Sequence, residues 1–169
     1  MIGLPGSGKS TVVSNLLKDM SVMPVISTDN YIEKYAKDNS TTYDKVFKQC
    51  YNDANKKMQQ DISQCVLEQK NFIWDQTNLN VKSRQSKVNF LLSKGYEITA
   101  ISMNLSEQEY EKRLKGRNAI GDKIIRDKLL QSMKDSYEPV TYAEKFKEIY
   151  LINDKGEYSL QPLVLNLKR

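Results

Sequence analysis

The fold is decided by the stretch Gly3-Leu4-Pro5-Gly6-Ser7-Gly8-Lys9-Ser10, with Thr11 directly behind it. It matches the phosphate-binding pattern G-x-x-x-x-G-K-[ST] in full, and an amphipathic helical pattern follows. In such a loop the glycines let successive backbone N–H groups turn toward phosphate oxygens, and the N-terminus of the helix adds the positive end of its dipole. The alternative, a glycine-rich turn that binds nothing, is disfavoured by the helix that follows.

The motif also assigns roles to side chains. Lys9 is expected to reach the β- and γ-phosphates of a nucleoside triphosphate, and Ser10 to ligate Mg²⁺. We therefore predict ATP and Mg²⁺ as cofactors. The predicted ATP-binding residues of the loop are Gly3, Pro5, Gly6, Ser7, Gly8, Lys9, Ser10 and Thr11.

Short apolar runs alternate with longer helical patterns along the chain, which predicts βαβ units around a parallel sheet with helices on both faces. Strands are expected at residues 23–27, 71–75, 97–103 and 148–152, and a fifth should precede Gly3. Only Met1 and Ile2 stand before Gly3, whereas a central strand needs about five residues, so the strand is expected to continue upstream. Helical spacing covers residues 9–19, 43–69 and 81–94, with Gly95 as a stop.

Residues 107–137 read as two helices, 107–115 and 122–137, separated by a break at 116–121 that contains two glycines. We interpret the break as a lid over approximately residues 113–122. Arg113 and Arg117 are four residues apart, so they share a face if the helix continues, and both would then point toward the triphosphate on closure. The competing interpretation is a solvated helix end whose cations complement the helix dipole.

Composition limits the chemistry. The 169 residues contain no histidine, so a general base must be a carboxylate, lysine or tyrosine. Cys50 and Cys65 have no CxxC spacing, which argues against a structural zinc site. No apolar run is long enough for a membrane span and no secretory signal opens the sequence, so a single cytoplasmic domain over residues 1–169 is expected. The net charge of +5 suits a polyanionic partner without proving one.

Two further strands of the predicted sheet end in polar residues. Asp29 follows the strand at 23–27, at the edge where open α/β sheets bind ligands, and is the candidate general base. The alternative is that it caps a helix beginning near Tyr31. Asp75, Thr77 and Asn78 follow the strand at 71–75 and are predicted to contact the substrate. Asp75 is also a candidate for the outer shell of the metal, which the P-loop upstream supports; the alternative is a solvated strand end or cap.

Arg84 lies on the helix after this loop and could reach a phosphate of the acceptor. Taken alone, it is more simply an exposed arginine.

Together, GLPGSGKST, STDNY, WDQTNLN and the Arg113/Arg117 pair resemble the kinase domain of phage-type 5′-hydroxyl polynucleotide kinases, over residues 1–153. The resemblance implies a P-loop fold with strand order 2-3-1-4-5. It also implies transfer of the γ-phosphate of ATP to the 5′-OH end of DNA or RNA in nucleic-acid repair. By this likeness Lys9 and Ser10 serve the phosphates and magnesium, Asp29 is the base, and Arg117 stabilises the transferring group.

The chain departs from that family at Ile32, where the family has an arginine, so the contact to an acceptor phosphate there is in question. Lys34 or Arg84 could substitute. No 3′-phosphatase activity is expected. Two alternatives stay open: a small-molecule kinase similar to zeta-toxin-like nucleotide-sugar kinases or antibiotic phosphotransferases, and a nucleotide-binding module that has lost catalysis.

Overall fold

The computed structural model describes residues 1–19, 23–120 and 125–162, and its strands fall into two sheets. β1 (Val25–Ile26) pairs in parallel with β2 (Ile73–Trp74). β3 (Thr99–Met103) pairs in parallel with β4 (Glu148–Ile152), and β5 (Tyr158–Leu160) runs antiparallel to β4. Within the described residues, the prediction of one five-stranded parallel sheet is therefore wrong. The strand predicted before Gly3 makes only an isolated bridge, since two residues supply too few ladder hydrogen bonds, so the other four predicted strands fall into two pairs. β5 is an additional strand outside the five predicted ones, and it is antiparallel because its short turn permits only a hairpin.

Residues 1–3 hydrogen-bond to both sheets. Their backbone pairs with Trp74 and Thr77 on one side and with Ile101 and Met103 on the other, over 2.8–3.0 Å. This segment forms only an isolated parallel bridge. It nevertheless lies between β2 and β3, so the order in space is β1, β2, residues 1–3, β3, β4, which is the order that the resemblance implies.

The described residues form six α-helices and one turn of 3₁₀ helix at Tyr142–Glu144. The first begins and ends as predicted, and the third and fourth end one or two residues earlier than predicted. Gly95, with φ +82°, follows the fourth helix as its predicted stop. The helices are α1 (Lys9–Asp19), α2 (Thr28–Asp38), α3 (Tyr43–Leu67), α4 (Val81–Ser93), α5 (Glu107–Ile120) and α6 (Asp127–Asp135).

The predicted helix break is wrong where the structure describes it. α5 continues through Gly116 and Arg117 to Ile120. A glycine inside a helix costs only about 1 kcal/mol relative to alanine, which packing elsewhere on the helix can offset. Residues 121 and 122 of the predicted lid lie outside the described residues, and α6 begins at Asp127 instead of residue 122.

Helices cover both faces of the β3–β4 pair, as predicted. Ile101 and Met103 point toward α1, where they pack with Val12. Ala100, which alternates with them along β3, belongs to a separate cluster with Val88 of α4. Strand side chains alternate between faces, so the two clusters lie on opposite sides. Among the described helices, none has the combination of length and apolar character needed to cross a bilayer.

Candidate active site

The loop before α1 has a backbone that only glycine tolerates at two key positions. Gly3 has φ +152°, and a Cβ there would lie 2.8 Å from Cγ of Met103. Gly8 has φ +98°, and a Cβ there would lie 2.9 Å from Nη1 of Arg113. The loop is therefore packed from beneath by a strand and from above by a helix, and its glycines permit this close approach.

Lys9 spans the loop from within. Its Nζ donates to the carbonyl oxygens of Gly3 at 2.9 Å and Leu4 at 3.0 Å. The side chain therefore closes the loop into a ring at the first turn of α1, where the N–H groups of a helix have no intrahelical partners. Ser7 is 2% exposed, and its Oγ has no hydrogen-bond partner within the described part of the chain. The N-terminus of α1, with the Lys9 ammonium beside it, is suited to binding phosphate.

α5 lies against this loop through several contacts. The Tyr110 hydroxyl donates to the Pro5 carbonyl at 3.0 Å. Arg113 donates to the Ser7 carbonyl at 2.9 Å and to the Asp154 carbonyl at 2.7 Å, and Glu109 accepts from its Nε at 2.7 Å. The hydrogen bond from Arg113 lowers the pKa of Glu109. Arg113 thus connects the phosphate-binding loop to the turn before β5, so it is more than a solvated helix end.

Arg117 lies on the same face of α5, since the helix continues through it. Its Cδ is 3.6 Å from the position that a Cβ on Gly6 would occupy. Its charge also reaches the phenol of Tyr43: burial first, then the hydrogen bond to Asp29, raises the pKa of Tyr43, and Arg117 opposes that shift. Arg117 therefore lies next to the loop, and its charge acts on the tyrosine that holds Asp29.

Asp29 is in the first turn of α2, at the end of β1. Ser27 is the N-cap of this helix and accepts from the backbone N–H of Asp29 at 3.1 Å, so the alternative in which Asp29 caps a helix near Tyr31 is wrong. The Asp29 side chain is exposed, and its Oδ1 accepts from the Tyr43 hydroxyl at 2.7 Å. Because the pKa of Tyr43 is raised, this phenol stays protonated and orients one oxygen of the carboxylate.

Two cavities flank the phosphate-binding loop. The first, of about 500 Å³, lies on the α5 side. The second, of about 290 Å³, lies between α1 and the β1–β2 pair and brings Ser10 and Asp75 together. The first cavity is lined by Gly6, Gly8, Thr11, Asn15, Arg113, Lys155 and Gly156, and the second by Ser10, Val13, Ser14, Leu17, Val25, Asn30 and Asp75.

The segment after β2 supports the phosphate-binding loop from below. The carbonyl of Thr77 accepts from the N–H of Gly3 at 3.0 Å. Asn78 is buried, has φ +49°, and its amide donates to the Met1 carbonyl at 2.7 Å. Its side-chain oxygen accepts from Lys87, whose pKa is lowered to about 8 by burial. The side-chain amide of Asn78 is thus used in hydrogen bonds within the protein. It does not point into the crevice, the space at the carboxyl ends of β1 and β2 beside the phosphate-binding loop, where a substrate contact was predicted.

Arg84 is 2% exposed and does not reach the crevice, so both the acceptor contact and the exposed arginine expected from the sequence disagree with its position. Its Nε and Nη2 donate to the carboxylate of Glu144 at 2.6 and 2.9 Å. The remaining N–H groups are taken up by backbone carbonyls, those of Asn78, Leu79, Glu138 and Pro139. The guanidinium therefore ties α4 to the segment before β4.

A family model described as an AAA domain matches residues 1–140 of the 169. The chain belongs to this family. The family is one of P-loop, kinase-like domains, so the phosphate-binding loop belongs to a P-loop kinase-type domain, and membership implies that the chain binds a nucleotide. No curated protein matches the chain.

The residues of this AAA domain fit a nucleotide and its metal. The ring around Lys9 and the buried Ser7 hydroxyl suit a phosphate chain, and the 500 Å³ cavity on the α5 side can take the rest of a nucleotide. Ser10 and Asp75 bring a hydroxyl and a carboxylate to the second cavity, and Mg²⁺ prefers such oxygen ligands.

Sequence reasoning missed several residues of this site. Glu109 could have been found, because it precedes Arg113 by four residues on one helix. Tyr43 gave no signal, since it begins a helix 14 positions after Asp29 and meets it only through the packing of α3 on α2. Asn15 and Lys155 of the first cavity carry no motif either.

Proposed function

We propose that this AAA domain transfers the γ-phosphoryl group of ATP to the 5′-OH end of DNA or RNA, in the manner of a nucleic-acid repair kinase. The observation that carries the proposal is the position of Arg117. It lies against Gly6 of the phosphate-binding loop and within electrostatic reach of Tyr43, which holds Asp29. In this arrangement the phosphoryl group passes from the loop to an acceptor at Asp29, with the guanidinium of Arg117 close to both.

The reaction needs few groups. Asp29 accepts the proton of the acceptor hydroxyl, and the oxygen of that hydroxyl bonds to the γ-phosphorus. The bond from the γ-phosphorus to the β–γ bridging oxygen breaks as ADP leaves. Lys9 and Arg117 neutralise charge on the transferring group. Ser10 and Asp75 would hold Mg²⁺, which supplies further neutralisation of phosphate charge. Tyr43 fixes the orientation of the base.

The choice of a polynucleotide acceptor rests on the order and spacing of STDNY, WDQTNLN and the arginine pair, together with the net charge of +5. The aspartate of STDNY lies at the carboxyl end of β1 and that of WDQTNLN at the carboxyl end of β2, on one edge of the β1–β2 pair. Ligands bind at this edge in open α/β folds.

A small-molecule kinase is the second candidate, and Ile32 favours it. Ile32 is fully buried in the cluster between α2 and α3, at the position where the polynucleotide kinases have an arginine. With an apolar core residue there, that acceptor-phosphate contact is missing. A sugar or nucleotide-sugar hydroxyl would not need it.

The test is an acceptor panel with ATP labelled on its γ-phosphate. It contains a single-stranded oligonucleotide with a 5′-OH, the same oligonucleotide already 5′-phosphorylated, a nucleotide sugar and an aminoglycoside. We expect label on the 5′-OH oligonucleotide alone. Label on a small molecule with none on the oligonucleotide would establish the second candidate. ATP binding with no acceptor labelled at all would indicate a module that has lost catalysis.

A further inference from the structure

Three aromatic rings follow one another along α3 from the candidate base outward. The centroids of Tyr43 and Phe47 are 5.6 Å apart, and those of Phe47 and Tyr51 are 5.4 Å apart. The hydroxyl of Tyr43 is bonded to Asp29 at 2.7 Å. The row, here called the aromatic ladder (Tyr43, Phe47 and Tyr51), therefore begins beside the carboxylate that is proposed to accept the proton.

The outer rungs of the aromatic ladder face solvent. Phe47 is 38% exposed and Tyr51 is 45% exposed, although both are large and one is wholly apolar. The buried stripe of this part of α3 consists of Val46, Cys50 and Ala54, which pack against α2. Phe47 and Tyr51 are therefore not needed to close that cluster, and they form a contiguous aromatic surface, which differs from the single exposed apolar residues common on proteins.

We propose that the aromatic ladder binds the first few bases of a single-stranded acceptor, with the 5′-OH at Asp29 and the following bases stacked on Phe47 and Tyr51. This inference rests on the proposed function and deepens it, because it names a single strand instead of a duplex as the acceptor. The rings contact one another, so bases stack on their exposed faces and not between them. Base stacking on aromatic side chains is sequence-tolerant, so no base preference is expected.

The dimensions agree with this occupant. The ladder spans nine residues of helix, and the eight steps of 1.5 Å between Tyr43 and Tyr51 give a length of about 12 Å. A stacked strand rises about 3.4 Å per nucleotide, so the ladder matches roughly three nucleotides beyond the reacting end. A blunt duplex keeps those bases paired and unavailable, and it should bind poorly.

The ladder itself carries little net charge, so stacking can be separated from ionic attraction. Residues 43–51 contain Asp44, Lys45 and Lys48, which give a net charge of +1. The net charge of +5 over the whole chain draws a polyanion in, and Arg117 supplies the cation at the catalytic end. The contribution of the rings themselves should therefore be the same at low and at moderate salt, whereas a purely ionic contact would weaken steeply.

The experiment compares Phe47→Ala and Tyr51→Ala with a matched control, Phe90→Ala, on the full chain. Phe90 is also 38% exposed but lies on α4, away from Asp29. The probe is a 5′-OH oligodeoxythymidine of about eight nucleotides with a 3′-fluorophore, longer than the span of the ladder. Its dissociation constant is measured by anisotropy without ATP, and phosphorylation of the same probe is measured separately.

We expect each ladder variant to weaken probe binding about 5- to 150-fold, the range found per stacked base, and to raise the acceptor KM equally with kcat and the KM for ATP unchanged. Phe90→Ala should change none of these. Probe binding that depends on the ladder, without phosphorylation, would support the ladder and overturn the proposed kinase. Phosphorylation that is indifferent to both ladder variants would overturn the ladder and leave the kinase standing.

Two other outcomes would also overturn the ladder proposal. If the wild-type chain neither binds nor phosphorylates the probe, both proposals fall. If sedimentation shows that the ladder variants dissociate a dimer while probe affinity is unchanged, this face is an interface between copies of the chain, and the ladder proposal is overturned.

Discussion

The two sides of the crevice are built from different materials. On the donor side, the hydrogen bonds are made to main-chain groups of the phosphate-binding loop: Lys9 donates to two loop carbonyls and Arg113 to a third. On the acceptor side, side chains from separate helices meet, as Tyr43 of α3 meets Asp29 of α2. A main-chain site requires specific glycines at specific spacings, whereas a side-chain site can be assembled from many residue types.

This difference explains how specific each side is. Phosphate binding follows from the loop alone, because its conformation and its N–H groups serve any nucleoside triphosphate. The acceptor side has no comparable motif, and Ile32, at the position where the polynucleotide kinases have an arginine, is a core residue in this chain. Substitutions on the donor side, on the acceptor side and in the supporting structure should therefore have different effects on transfer, on ATP binding and on stability.

The largest effect is expected from Arg117→Met, because Arg117 joins the two sides. An arginine that stabilises a transferring phosphoryl group contributes about 10³-fold or more to kcat. We expect a loss of that size in single-turnover transfer, with the thermal midpoint nearly unchanged. Lys115→Met, an exposed position on the same helix, is the control. Transfer within a few-fold of wild type in Arg117→Met would remove the link between the two sides.

Arg84→Met tests the supporting structure. Its removal leaves the buried carboxylate of Glu144 without its cation, and breaking a buried pair in this way costs about 3–5 kcal/mol in the free energy of unfolding. Urea unfolding measures the loss, and pairing the change with Glu144→Leu should recover part of it. The acceptor KM should stay constant in the folded enzyme. A raised KM with unchanged stability would instead return Arg84 to the acceptor site.

Lys9→Met tests the donor side alone. Removing one charged donor from a transition-state site costs about 10²- to 10³-fold in rate. The loss of two bonds inside the loop should also lower the free energy of unfolding by about 1 kcal/mol. Lys18→Met, exposed at the far end of α1, is the control. Rapid transfer by Lys9→Met would mean that the N-terminus of α1 can hold the phosphates for transfer without the Lys9 ammonium.

The smallest effect concerns Lys87, which supports the segment after β2. Burial lowers its pKa from 10.5 to about 8, so between these values the unfolded chain holds a proton that the folded chain has lost. Stability contributed by this group therefore rises with pH across that window. We expect Lys87→Met to remove on the order of 1 kcal/mol of that rise, because the side chain is only partly buried. Lys82→Met, exposed on the same helix, should keep the rise in urea unfolding between about pH 7 and about pH 10.

The sequence predicted the donor side in detail because its signals are local. The motif and the bounds of α1 depend on neighbouring residues and agree with the structure. The same holds outside the donor side for the stop at Gly95 after α4. The spacing of Arg113 and Arg117 predicts that they share one face of a continuous helix, and they do so because α5 continues through Gly116.

The remaining features depend on contacts between residues that are far apart in the sequence, and the sequence alone did not predict them. Nothing near Arg84 in the sequence indicates Glu144, which lies 60 positions away and neutralises it. Asn78 looked like a substrate contact because it follows a strand, but its amide is used to hold the start of the chain. The hairpin that makes β5 antiparallel depends on a turn and on an exposed edge of β4, and the short run at Tyr158–Leu160 carries little periodicity.

In the proposed reaction Asp29 activates the acceptor and takes no part in holding ATP. The direct test measures ATP affinity and transfer to a 5′-OH oligonucleotide in the same preparations of wild type and Asp29→Asn, with Asp38→Asn at the other end of α2 as control. We expect a loss in transfer of about 10²- to 10⁴-fold, with the Kd for ATP unchanged. Transfer within a few-fold of wild type, or a loss of ATP affinity in parallel with transfer, would contradict it.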